Sequence, residues 1–160
     1  MFNHVKQFIR WPLLMGCAAM VSMAPVLAQT ANFDNLTLGS NRTSASANGN
    51  TAGFFSLTNI APRDRNGNLC LGFAAEDPDH ILTLQQDYQQ LTVQVDSGGS
   101  DTTLLIQGPD NNTIRCGSDT SRRNPDANVV DGDWQAGTYR IWVGSHHQNQ
   151  RYEYTITVSP

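Results

Sequence analysis

The stretch ILTLQQDYQQLTVQV, residues 81–95, decides how this chain folds. Leu82, Thr83 and Leu84 alternate in character, and so do Leu91, Thr92, Val93, Gln94 and Val95. A period of two sets one face of a strand against a core and leaves the other to water. The intervening LQQDYQQL, 84–91, is the one piece with a weak helical period, and it falls short of the ten residues or so that a helix needs.

The same alternation extends in both directions. Downstream, the break SGGSD leads into TTLLIQG, and the turn GPDNN separates that strand from TIRC, so the chain reverses between Ile106 and Ile114 as a hairpin. GTYRIWVGS, 137–145, places Tyr139, Ile141 and Val143 on one face and Arg140 and Trp142 on the other, with Tyr139 the strongest candidate for the core. YEYTITV, 152–158, continues the period, and these last two strands are expected to pair as a hairpin. Upstream, FDNLTL predicts an edge strand, GSNRTSASANGN an exposed loop, GFFSLT a strand and APRDRNGN a turn before LCLGF. SDTSRRNPDANVVDGD, 118–133, predicts a long polar loop with a short apolar piece. About eight short strands separated by turns predict an all-β fold, an antiparallel β-sandwich.

The first 28 residues have the character of a secretory leader. Lys6 and Arg10 precede the apolar run WPLLMGCAAMVSMAPVLA, which Pro12 and Pro25 interrupt, and Val26 and Ala28 place cleavage before Gln29. LMGC, ending at Cys17, also has the form of a lipoprotein box, but the apolar run from Arg10 to Cys17 is short for such a leader, so cleavage at Ala28 is preferred. The expected organisation is a signal peptide at 1–28, a polar N-terminal segment with an edge strand at 29–52 and a sandwich domain at 53–160. From Gln29 onward the chain has eight arginines and no lysine against twelve aspartates and two glutamates. Nucleic acid is thereby disfavoured as a partner, because phosphate binding needs a basic patch. No second apolar run approaches the length of a membrane span.

Cysteine usage agrees with export to a secreted or periplasmic location. Cys17 leaves with the leader, and the remaining Cys70 and Cys116 pair most simply with each other in an oxidising compartment. A crosslink closing a loop of that length stabilises by about 4 kcal/mol in the chain-entropy model.

Three groups of residues bear on function. VGSHHQNQRY, 143–152, sets Ser145 beside His146 and His147. A small secreted hydrolase or peptidase would need Ser145 within hydrogen-bond reach of one of these rings or of His80, yet sequence neighbours in an extended turn point to different sides, so a solvated loop is expected. Asp77, Asp79 and Asp101 each lie where a loop meets a strand and form the tentative calcium set, against the ordinary use of aspartate in turns. Trp134, Tyr139, Trp142, Tyr152 and Tyr154 offer either a stacking platform or core filling, and core filling is favoured.

At EDPDHILTLQQDYQQLTVQV, SDTTLLIQGPDNNTIRC and WQAGTYRIWVGS followed by YEYTITV, the chain resembles the bacterial pre-peptidase C-terminal domain, in the variant associated with secreted cyanobacterial peptidases. The resemblance covers Gly53 to Pro160. It rests on Asp77 and Asp79 before a strand, on Asp101 leading through TTLLI to a turn at Asp110, and on Gly137, Thr138 and Tyr139 entering the final strands. It departs from the family's pattern at His80, where an aromatic residue is usual, and the module is expected to stand without a catalytic domain beside it. The resemblance implies a jelly-roll sandwich without catalytic residues of its own and, in some relatives, calcium near the acidic residues. The expected function is an exported, non-catalytic accessory or binding module for a protein or glycan of the cell envelope or extracellular space. The alternatives are the small hydrolase and a calcium-stabilised structural module.

Overall fold

The computed structural model describes residues 30–160, so the leader, its cleavage site and Cys17 lie outside the described residues. Twelve strands follow one another: Leu36–Leu38 (β1), Ala45–Asn50 (β2), Phe55–Ser56 (β3), Phe73–Ala74 (β4), His80–Leu84 (β5), Tyr88–Asp96 (β6), Thr102–Gln107 (β7), Ile114–Gly117 (β8), Asp119–Ser121 (β9), Asn124–Trp134 (β10), Gly137–Ser145 (β11) and Glu153–Ser159 (β12). Eight of them (β2, β5, β6, β7, β8, β10, β11 and β12) run four residues or more; of these, β2 and β10 fall in stretches whose sequence predicts loops. Among the described residues the one further element is a 3-10 turn at Leu57–Asn59, so GFFSLT is mostly not strand.

Two sheets stack as a sandwich. Sheet A runs β1-β5-β11-β7-β8, with β4 and β3 continuing beside the far end of β11, and sheet B runs β2-β12-β6-β10-β9. Every pairing is antiparallel except β1 with β5. The inward residues of both sheets interdigitate in one core: Leu82, Leu84, Tyr139, Ile141 and Val143 from sheet A meet Leu91, Val93, Val95, Ile156 and Val158 from sheet B. The faces of β11 follow the alternation, because Trp142 leaves that core and joins a second cluster with Leu105, Ile114, Leu57, Cys70 and Ala74 on the outer side of sheet A. The segment from Leu57 to Ala74 roofs that side, which explains why TTLLI in β7 is apolar without alternation: it is buried on both faces.

Three further expectations change. GSNRTSASANGN is not an exposed loop throughout, because Ala45–Asn50 forms β2. Its inward positions are Ala45, Ala47 and Gly49, too small to signal a strand, and the space is already filled: a Cβ on Gly49 would sit 2.4 Å from the Tyr154 hydroxyl. The polar stretch 118–133 is β9 and the eleven-residue β10 rather than a long loop. Its inward side carries Asp131 as well as Ala127 and Val129, so a buried charge pair stands where an apolar residue would have revealed the period. Finally, β11 and β12 do not form a hairpin. The first pairs with β5 and β7 and the second with β2 and β6, so residues 146–152 cross from one sheet to the other. Alternation fixes which face a residue takes and leaves the partner strand open.

Candidate functional site

The turn-rich loop before LCLGF is organised around the Asp64 side chain. Asp64 Oδ1 accepts the backbone N–H groups of Asn66 at 2.9 Å and Asn68 at 2.8 Å, while Oδ2 accepts the Asn68 amide at 3.0 Å and the Cys116 N–H at 3.3 Å. The Arg65 N–H donates to the Ile114 carbonyl at 3.0 Å, and the Cys70–Cys116 disulfide, with Cα atoms 5.3 Å apart, closes the attachment to β8. The crosslink expected from cysteine usage is thus the clamp that fixes this loop. Cys70 is buried beneath it, and alternation turns its neighbours outward: Leu69 is 53% exposed and Leu71 43%.

A groove of about 450 Å³ lies between this loop and β10. Leu69 and Leu71 line one side and Val130, itself 55% exposed, the other; Asn68, Ser118 and Asn128 supply amides and a hydroxyl between them. The two walls meet closely at Gly117, where a Cβ would come within 1.9 Å of the Asn128 carbonyl oxygen, so only glycine lets β8 pass from sheet A towards sheet B here.

Arg115 forms the base. It is 1% exposed, its Nε donates to Asp131 Oδ2 at 2.8 Å, and its Nη2 donates to the carbonyls of Gly132 and Asp133, each at 3.0 Å. The guanidinium lies 4.0 Å over the Trp134 ring, an attractive cation–π contact. Burial lowers the Arg115 pKa from its ordinary value, and the charge of Asp131 opposes that shift. Arg65 adds a second cation, 3.7 Å from Asp131 and 3.2 Å from Asp133, which ties the loop to β10. The groove therefore has a rigid, charge-paired floor and an aliphatic rim. Its carboxylates, Asp64 and Asp131, are occupied by donors, and no histidine lines it.

The residues singled out from the sequence lie elsewhere. Ser145 ends β11 buried, and its hydroxyl donates to the His147 carbonyl at 2.7 Å, while His146 and His147 are exposed. His80 is buried, with Nδ1 2.7 Å from the Asp34 carbonyl and Nε2 2.9 Å from the Tyr154 hydroxyl, so no imidazole is bonded to Ser145. Asp79 is 3% exposed, accepts the Val143 N–H at 2.8 Å and the Asn32 amide at 3.2 Å, and pins the N-terminal segment to sheet A. Asp77 and Asp101 are exposed and enter this framework through their backbone carbonyls, bonded to the Asn32 amide and the His146 N–H. Among the described residues no group of three or more His, Cys, Asp or Glu side chains is placed to hold a metal ion. Of the aromatic group, Trp134, Tyr139, Trp142 and Tyr154 are buried and fill the two cores.

The groove residues were not picked out from the sequence, although a signal was there. In LCL a cysteine committed to a buried crosslink forces both leucines to the opposite side, and in IRC the same alternation sends Arg115 away from Cys116.

No family model matches the chain, and no curated protein matches it. Among solved structures, the chain is similar to the pre-peptidase C-terminal domain of a collagenase from Bacillus anthracis, with a TM-score of 0.46 and 12% identity over 78% of this chain and 94% of that one. It is also similar to PliG from Aeromonas hydrophila, a periplasmic inhibitor of g-type lysozyme, with a TM-score of 0.43 and 16% identity over 79% of this chain and 97% of that one.

Proposed function

We propose that this chain is an exported, non-catalytic β-sandwich module that binds a protein of the cell envelope or extracellular space through the groove between the Asp64–Leu71 loop and β10. The observation that carries this reading is the rim: three exposed aliphatic side chains, Leu69, Leu71 and Val130, gathered on a framework locked by a disulfide and a buried ion pair. Aliphatic surface kept rigid in water suits association with another apolar surface, because little side-chain and loop order has to be imposed on binding. A protein partner is favoured over a glycan because sugar rings stack on exposed aromatic faces, and the described residues that line this groove include no aromatic side chain. The disulfide supports an oxidising compartment. The engagement of the Ser145 hydroxyl and both His80 nitrogens in structural hydrogen bonds supports a role without catalysis. The resemblance to pre-peptidase C-terminal domains fits an accessory module of this kind.

The test compares the purified protein with its L69S/L71S/V130T variant as bait for envelope extracts, followed by calorimetric titration of each retained protein in purified form. The expected result is a protein ligand whose affinity falls at least about tenfold in the variant while its melting temperature stays close to wild type. Equal affinity for both baits, or retained material that is polysaccharide, overturns the proposal.

A further inference from the structure

We infer that this protein self-associates through β2, pairing it antiparallel with β2 of a second copy so that sheet B continues across the interface. A strand at the edge of a sheet leaves a row of N–H and C=O groups without partners, and soluble proteins usually blunt such edges with charge, proline, bulges or a covering loop. This chain blunts its other edges. The Arg65 N–H and the Asp64 carboxylate cover β8 by binding Ile114 and Cys116. Where β10 extends past β9, the Trp134 indole takes the Asp131 carbonyl and Arg115 takes those of Gly132 and Asp133. The edge strands β1 and β9 are three residues long and β3 is two, and Arg122 and Arg123 follow β9 directly.

Among the described residues β2 has none of these protections. It is six residues long, pairs with β12 and with no other described strand, and has the sequence ASANGN, with no charge and no proline. The Thr51 N–H donates to the Tyr152 carbonyl at 2.9 Å. Counting back from that bond, the alternation of an antiparallel pair turns the backbone N–H and C=O groups of Ser46, Asn48 and Asn50 away from β12. None of these groups is hydrogen-bonded among the described residues.

A second copy is the occupant that the chemistry favours. In a chain with a formal net charge of −4, most pairs of identical surfaces repel, whereas two copies of a neutral strand meet without like charges opposed. A two-fold axis is satisfied whether it passes through Ala47 or Asn48. Either position sets Asn48 opposite Ser46 or Asn48 of the copy and pairs the free backbone groups. The inward side brings only Ala45, Ala47 and Gly49 to the junction, so the approach of the two cores meets no bulky side chain from β2.

Sedimentation of the purified protein from micromolar to sub-millimolar concentration tests this, with S46K/N48K as the paired variant, which sets lysines against one another in either register. The expected result is a wild-type chain of twice the monomer mass at the upper concentrations and a monomeric variant with an unchanged melting temperature. The groove variant L69S/L71S/V130T should remain dimeric. A wild-type chain that stays monomeric throughout, or a folded lysine variant that still dimerises, overturns the inference. If the lysine variant does not fold, amide exchange in the wild type decides: Ser46 and Asn48 should slow with rising concentration, and exchange that ignores concentration overturns the inference equally.

Discussion

Asp79 and Val143 are joined inside sheet A by a hydrogen bond of 2.8 Å from the Val143 backbone N–H to a carboxylate oxygen that water barely reaches. Burial pushes the Asp79 carboxyl up to about 6, while the Val143 N–H and the Asn32 amide pull it down. The folded chain thus holds this proton more tightly than the unfolded chain. The stability contributed by Asp79 is complete at acid pH below the ordinary aspartate value and is lost as pH rises through about 6. Asp79→Asn removes that loss, so the stability of the variant relative to wild type should grow by up to about 3 kcal/mol between pH 4 and pH 7. Burial also lowers the pKa of neighbouring His80, whose contribution is present at neutral pH and lost on acidification, but His80 is common to both proteins and largely cancels in the difference. Urea titrations of the pair across pH measure it; a difference that stays flat or shrinks contradicts the assignment.

Arg115 and Asp131 form a pair that costs much to break and little to replace. Asp131→Ala leaves a buried guanidinium without its counter-charge and should destabilise by about 3–5 kcal/mol. Replacing both partners, as R115M/D131L, should recover most of that loss, since two apolar side chains do not have to be stripped of water as charges. Equilibrium unfolding of the single and double variants checks the order.

Removing the disulfide as C70A/C116A should cost about 4 kcal/mol. It should also release the groove loop, so that the amides of Asn66, Asn68 and Cys116, which Asp64 now accepts, exchange faster than in wild type. Loss of stability with those amides still protected would mean that the Asp64 turn holds the loop without the crosslink.

Calcium should have no effect on melting. The Asp79 carboxylate is engaged by Val143 and Asn32, and Asp77 and Asp101 take part in the surrounding framework through their carbonyls. A melting temperature that moves between excess chelator and millimolar calcium would return these aspartates to the role of ligands.

Legibility in the sequence followed residue size. Leu91, Val93 and Val95 announced their strand because large apolar residues alternate with Thr92 and Gln94, and the sandwich could be inferred from such pieces. Ala45, Ala47 and Gly49 hid β2, and Asp131 hid β10, because a small residue under Tyr154 and a charge paired with Arg115 occupy core positions without apolar bulk. The roof over Trp142 depends on contacts between Leu57, Cys70 and Leu105, remote in sequence, which no local period records. The groove was half legible. The crosslink fixed where Cys70 must lie and therefore where Leu69 and Leu71 must not, but their meeting with Val130 required the crossing of β8 at Gly117.

Photocrosslinking from single positions in living cells tests the binding surface most directly. With benzoylphenylalanine placed in turn at Leu69, at Val130 and at Thr155, which is exposed on the outer face of sheet B two strands away from β10, irradiation should join the first two positions to one and the same foreign protein and leave Thr155 without it. Adducts formed equally from Thr155, or different proteins captured from Leu69 and Val130, would contradict the groove as the contact surface.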